Sequence, residues 1–269
     1  MFNYQKVITR PPCANFADGL THGRLGKPDP QLAVFQHRQY VNALRHCGAE
    51  VVVLRPDNDY PDSCFTEDEA IVTDRMAVIP SFCRPSRQGE EIRMRPVIEA
   101  FYGGRIEQIK APGTLEGGDI CRDGDHFFVG ISSRTNEEGA RQFAEIVKKY
   151  GFTTDFCDIR GIQILHLTTG MSYIGENTVI CCPDFKNLPA YAGYRVIVTS
   201  PKEAYAANCV RINDKVIIPE GYPNTARKLE KAGFSVITTP MSEIEKQDGG
   251  LSCLSIRMPV RIRNYETEK

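Results

Sequence analysis

The chain has 269 residues, 41% hydrophobic and 25% charged, with a formal net charge of −1 at pH 7. These values suit a soluble globular protein of one domain or two, and the balanced charge excludes the basic footprint of a nucleic-acid partner. No apolar run nears the roughly 18 residues of a membrane span, and Met1-Phe2-Asn3-Tyr4-Gln5-Lys6-Val7-Ile8 lacks the long apolar region of a signal peptide.

Val7-Ile8-Thr9-Arg10 reads as a first strand, closed by Pro11-Pro12. Residues 15–30 are rich in Gly, Pro, Asp and Thr, and a loop that long in a compact domain is functional or disordered. Asp29 and Pro30 open a helix as N-cap and first-turn residue. Ala33, Val34, Tyr40, Val41, Ala43, Leu44 and Cys47 recur along it at helical spacing, Gly48 ends it, and 50–54 is a strand. Residues 65–79 then show an acidic mouth, a strand, a short turn and a second strand. A helix is expected over 90–102, which Pro96 must kink or start late, and a strand over 105–109.

A second acidic mouth, Glu116-Gly117-Gly118-Asp119, opens a hairpin over 115–130 with Asp123-Gly124 at its turn. Its paired glycines let the backbone come close to something that Glu116 then faces. Thr135-Asn136-Glu137-Glu138 resembles a capping box for a helix burying Ala140, Phe143, Ala144 and Val147, and Gly151 stops it. Residues 152–158 and 162–165 read as strands, and 171–182 and 206–218 as hairpins. Asn224 caps a short helix ending at Gly233; 234–238 is a strand and 249–258 the last strand region.

Hairpin, helix and strand thus recur with mouths near Asp68, Asp119, Ser172, Asn208 and Cys253, at the roughly 40–50-residue spacing of an internal repeat. The residues themselves do not repeat, so the period is structural. Five such units closing in a ring make one α/β domain whose strand mouths converge on its axis. An open α/β sheet is the competing architecture.

The ten cysteines include no C-x-x-C pair, which speaks against structural zinc and for reduced, mostly buried thiols in the cytosol. Cys253 differs in following Asp248-Gly249-Gly250, where close backbone approach is possible. A thiol nucleophile needs an acid–base partner. Of the five histidines, His37 and His46 fall on the first helix, His126 alternates into a hairpin and His22 lies in the long loop. His166 closes an apolar strand, a placement that suits a proton shuttle and equally a structural histidine.

Asp62, Glu67, Asp68, Glu116 and Asp248 cluster at hairpin mouths. Converging acids repel one another unless they bind a metal or a delocalised cation, and a guanidinium matches carboxylates two bonds at a time. Arg87 and Arg134 lie in loops leaving strands, as clamps for a substrate carboxylate or as ordinary surface arginines. Gly170-Met171-Ser172-Tyr173-Ile174-Gly175 misses the serine-hydrolase elbow by one residue, and no phosphate-loop or dinucleotide fingerprint occurs.

Taken together, the chain resembles the dimethylarginine dimethylaminohydrolases, guanidine-modifying enzymes with the five-bladed ββαβ propeller (pentein) fold and its pseudo-fivefold symmetry. The resemblance runs over nearly the whole chain. It is carried by Asp18-Gly19-Leu20, Leu25-Gly26-Lys27-Pro28-Asp29, Pro61-Asp62-Ser63, Phe65-Thr66-Glu67-Asp68 and Ser86-Arg87. It continues through Glu116-Gly117-Gly118-Asp119, Arg134-Thr135-Asn136, His166-Leu167, Ala207-Asn208-Cys209 and residues 248–255. It implies a single catalytic domain over 1–269 that hydrolyses Nω-methylated arginine to citrulline and an alkylamine through a Cys-thiouronium intermediate.

By the same resemblance, Cys253 is the nucleophile, His166 the proton donor and then base, and Glu116 the group orienting His166 or the guanidinium. Asp68 holds the guanidinium nitrogens, with Glu67 and Asp248 completing the polar shell. Asp62 takes the substrate amino group, Arg87 and Arg134 its carboxylate, and Leu20 belongs to a lid. No metal and no organic cofactor is implied. The partner is a small methylated arginine, and the protein is a cytoplasmic monomer or homodimer. One position departs from the family, whose members often carry Lys two residues after the histidine where this chain has Thr168. The alternatives are an arginine deiminase, against which Glu67 argues, and a catalytically idle binder of arginine derivatives.

Overall fold

The computed structural model describes residues 4–23 and 25–259. Short runs such as Ala77-Val78-Ile79 and Phe127-Phe128-Val129 are apolar at every position, the pattern of strands buried on both faces. They are the middle strands of five three-stranded sheets.

The chain builds these sheets one after another. The first unit holds β1 (Tyr4–Thr9), α1 (Pro30–His46) and β2 (Glu50–Val53). The second holds β3 (Ile71–Val72), β4 (Ala77–Ile79), α2 (Glu90–Tyr102) and β5 (Ile106–Gln108). The third holds β6 (Ile120–Asp123), β7 (His126–Ile131), α3 (Glu137–Lys149) and β8 (Thr153–Asp158). The fourth opens with α4 (Leu167–Gly170) and continues through β9 (Met171–Tyr173), β10 (Thr178–Cys181) and β11 (Arg195–Val198). The fifth holds β12 (Val210–Ile212), β13 (Lys215–Pro219), α5 (Pro223–Lys231) and β14 (Ser235–Thr239). Then come α6 (Ser242–Glu245) and β15 (Ile256–Pro259).

In each sheet the middle strand pairs antiparallel with one neighbour and parallel with the other. The antiparallel partner of β1 is β15, so the last strand completes the first sheet. The fourth unit replaces its crossover helix by two 3₁₀ turns, Pro183–Phe185 and Pro189–Tyr191.

Alternation along the middle strands closes the ring. Val7 packs with Val210 and Ile217 of the fifth unit, and Ile8 with Ala77 and Ile98 of the second. Phe127 joins Met76 of the second unit, while Phe128 joins Met171 and Val179 of the fourth. Ile180 joins Val216 and Leu229 of the fifth. Every apolar cluster therefore lies between consecutive units, with the fifth meeting the first. The five-unit propeller inferred from the spacing of mouths is the fold, and the open sheet is not.

Local readings differ at four points. Residues 162–165 form no strand: Ile162 and Ile164 satisfy their amides within the turn and pack from a loop onto the third–fourth cluster. Cys253 sits in a 3₁₀ turn, Ser252–Leu254, ahead of β15 rather than within a strand. The cap of α3 is Asn136, whose side chain accepts from Gly139 N, because the Thr135 hydroxyl accepts from Glu116 N. Asn224 lies inside α5, after its N-cap Tyr222, and bonds Glu203. The helix α2 starts on time and runs through Pro96. Among the described residues, no helix is long and apolar enough to cross a membrane.

Candidate active site

Of the five predicted hairpin mouths, those at Asp68 and Cys253 meet at one cavity, while Ser172 lines a separate one. Leu20, Asp62, Asp68, Arg87, Arg134, His166, Asp248 and Cys253, eight of the predicted site residues, line one small cavity. Their side chains come from the first, second, third and fourth units and from the turn before β15. Glu116 stands just behind, bonded to His166. Glu67 is set apart, facing a second cavity on the far side.

Cys253 is buried, and its Sγ accepts a hydrogen bond from Gly250 N at 3.4 Å. Burial, then the charges of Glu67 and Asp68, push the thiol well above its ordinary range. Gly250 is required where it stands, because a Cβ there would collide with the Asn208 side chain. Across the cavity, His166 Nε2 lies 2.8 Å from Glu116 Oε2 and 4.0 Å from Asp68 Oδ1. A Cβ on Gly118 would come within 2.8 Å of the imidazole, so the acidic mouth closes on His166 only because that residue is glycine.

Burial opposes a charge on His166, but Asp68, Glu116 and Asp119 overcome it and raise its pKa to about 9. The reverse balance holds for the carboxylates. Burial opposes their ionisation, yet His166 and Arg87 keep both Asp68 and Glu116 below the usual range. The resting pair at neutral pH is therefore a thiol and an imidazolium.

Two guanidinium groups complete the charge balance. Arg87 Nη1 donates to Asp68 Oδ2 at 2.7 Å, and its Nε and Nη2 donate to Glu90 at 3.1 and 2.7 Å. Arg134 Nη1 donates to Glu116 at 3.3 and 3.4 Å. Both arginines are buried, unlike ordinary surface arginines. Burial pushes Glu90 up to about 7 against the pull of Arg87.

The long N-terminal loop folds over the cavity through the same acids. Leu20 N donates to both Asp62 oxygens at 3.1 Å, and His22 N donates to Asp248 Oδ2 at 2.6 Å. Thr21 Oγ1 adds a bond to Lys246 O at 2.9 Å. Asp248 makes its contact from a left-handed backbone, φ 58°.

Asp68, Glu116 and His166 present ligand atoms within 4.8 Å of one another. A divalent ion there would compete with Arg87, Arg134 and the imidazolium proton, so the set suits proton transfer better than metal binding. The cavity brings together carboxylates, a thiol and a proton donor, which suits attack on a planar cation.

Sequence reasoning missed three contributors. Asp119 accepts from Leu167 N at 2.9 Å and from Ser132 Oγ at 2.6 Å, fixing the start of α4 beside His166; its place in the glycine-flanked mouth was the available signal. Glu90, the first residue of α2, reads as an ordinary helix-start acid. Arg257 reads as one residue of an alternating strand.

Comparison with known proteins places these features. The family described as N,N dimethylarginine dimethylhydrolase, eukaryotic, matches residues 26–258. An N(G),N(G)-dimethylarginine dimethylaminohydrolase from Pseudomonas aeruginosa is 41% identical over 254 residues, covering 94% of this chain and 99% of that protein. One from Streptomyces coelicolor is 29% identical, covering 94% and 97%. A crystal structure of the Pseudomonas aeruginosa enzyme, a Cys-to-Ser mutant complexed with citrulline, superposes with a TM-score of 0.92 at 41% identity, covering 95% of this chain and all of that one.

Proposed function

Because the chain belongs to the dimethylarginine dimethylaminohydrolase family, we propose that it hydrolyses Nω,Nω-dimethyl-L-arginine and Nω-methyl-L-arginine to L-citrulline and the corresponding amine. The observation that carries the reading is the convergence of Cys253, His166 and Asp68 on one cavity floored by buried charge.

In this reading the substrate guanidinium enters against Asp68, with its amino group toward Asp62 and its carboxylate toward Arg87 and Arg134. Leu20 covers it. The incoming cation favours the Cys253 thiolate, whose proton leaves to solvent, and so removes the obstacle that burial, Glu67 and Asp68 present. The thiolate attacks the central guanidinium carbon. His166, held protonated, gives its proton to the departing amine as the C–N bond breaks, leaving an S-linked thiouronium. The neutral imidazole then takes a proton from water. The new C–O bond forms, the C–S bond breaks, and citrulline leaves with Cys253 restored.

The reading includes a single catalytic domain in the cytoplasm, supported by ten unpaired thiols of which nine are buried. The test is citrulline release from asymmetric dimethylarginine, monomethylarginine and arginine, with Cys253→Ser and His166→Ala beside the parent. Turnover of the methylated substrates, lost in both variants, is expected. Turnover of arginine alone would move the protein to the deiminases, and no citrulline from any substrate would sink the reading.

A further inference from the structure

Chain neighbours at the site face opposite ways. Asp68, His166 and Cys253 line the substrate cavity, while Glu67, Thr168 and Ser252 line a larger cavity behind it, together with Arg257. Between the two lies a hydrogen-bonded floor. Glu67 Oε2 accepts from Ser252 Oγ at 2.7 Å and from Thr168 Oγ1 at 3.3 Å. Asn208 ties the same turn, accepting from Ser252 N and donating to Thr168 O, both at 2.9 Å. The cation in this floor is Arg257. Its Nη2 donates to Glu67 Oε1 at 2.6 Å, and its Nη1 donates to Ser252 O at 2.9 Å and Ser255 O at 3.2 Å.

We infer that Arg257 is a positioning residue for the nucleophile, which grips the turn carrying Cys253 at both ends and offsets the Glu67 charge beneath the sulfur. The inference rests on the proposed role of Cys253. The positive partner of Glu67 comes from β15 and binds Oε1, while Thr168 offers only a hydroxyl, at Oε2.

Other charges facing Cys253 are Asp62, Asp68, His166, Arg87, Arg134 and Asp248, from the remaining walls. None of these is a partner of Glu67 among the described residues, so none substitutes for Arg257. Without that cation, Glu67 stands as an uncompensated carboxylate beside the thiol, and like charge disfavours the thiolate.

The test is the pH dependence of Cys253 alkylation by iodoacetamide, followed by peptide mass on the full chain. Arg257→Met is expected to slow alkylation about tenfold at any pH below the midpoint, as it must if the thiol's midpoint rises by about one on the pH scale. Arg257→Lys, and the double variant Arg257→Met with Thr168→Lys, are expected to recover most of that rate. Thr168→Lys alone, which keeps the native grip, should lower the midpoint by adding a second cation. A folded Arg257→Met with the parent's midpoint would overturn the inference. So would a loss that neither lysine restores, or an unchanged midpoint in Thr168→Lys if Arg257→Met does not fold. Alkylation needs no substrate, so failure to hydrolyse methylarginine would refute the proposed function and leave this result standing on its own.

Discussion

Replacing Glu116 by Gln keeps the shape of a fully buried side chain and removes one charge. His166 Nε2 is 2.8 Å from Glu116 Oε2, an attraction of roughly 6 kcal/mol at the effective dielectric of protein interiors. Asp68, 4.0 Å away, contributes roughly 4 kcal/mol by the same arithmetic and remains in the variant. Because burial pulls the other way, the imidazole pKa should fall from about 9 by roughly one to three rather than by the whole Coulomb figure. The imidazolium is the proposed donor to the leaving amine, so the alkaline limb of kcat should move down by the same amount. The assay is citrulline release at saturating dimethylarginine across pH 5.5–10, with the His166 ring titrated by NMR in parent and variant. A folded variant whose kcat drops while the alkaline limb stays fixed would refute the argument, since Glu116 would then act on the substrate and not through His166.

Glu90→Gln removes the ionic partner of Arg87 Nε and Nη2 and leaves that guanidinium to turn toward Asp68. It should raise KM for dimethylarginine about tenfold with kcat nearly unchanged, the pattern of lost ground-state binding. An equal rise for an analogue lacking the α-carboxylate would refute the assignment of Arg87. Stability should also depend on His166. Its folded pKa, about 9, lies above the ordinary 6.5, so its contribution is complete below pH 6.5 and is lost as pH rises through 9. The loss is on the order of 3 kcal/mol. Urea midpoints of the parent should therefore decline over that window, and those of His166→Ala should decline less.

The readable parts of the sequence were those governed by local pattern. The hairpin over 206–218 was readable around the apolar run Val216-Ile217-Ile218, and Asp123-Gly124 marked a hairpin turn because only certain residues tolerate that backbone. The spacing of hairpin mouths suggested a ring, since each mouth needed a place to deliver its polar residue. The hidden parts depend on contacts far apart in sequence. Glu67 and Arg257 meet across a separation of 190 residues, and nothing near either predicts the other. Glu90 looked like a helix-start acid because that is also what it is; its grip on Arg87 appears only once the preceding loop is folded. Ile162 and Ile164 imitate a strand because alternate apolar residues also suit a loop whose every second side chain drops onto a neighbouring sheet.

The pairing of β1 with β15 sets an order of events during synthesis. β1 and β2 are made long before β15, so their sheet stays without its antiparallel strand until residues 256–259 have left the exit tunnel. Four units can pack while the chain is still attached, with one backbone edge waiting. The turn bearing Cys253 emerges just before the strand that seals that edge, and Arg257 belongs to the strand itself. Cys253, Arg257 and the strand that completes the first sheet therefore emerge together, after all five middle strands, and a chain cut before residue 253 lacks all three.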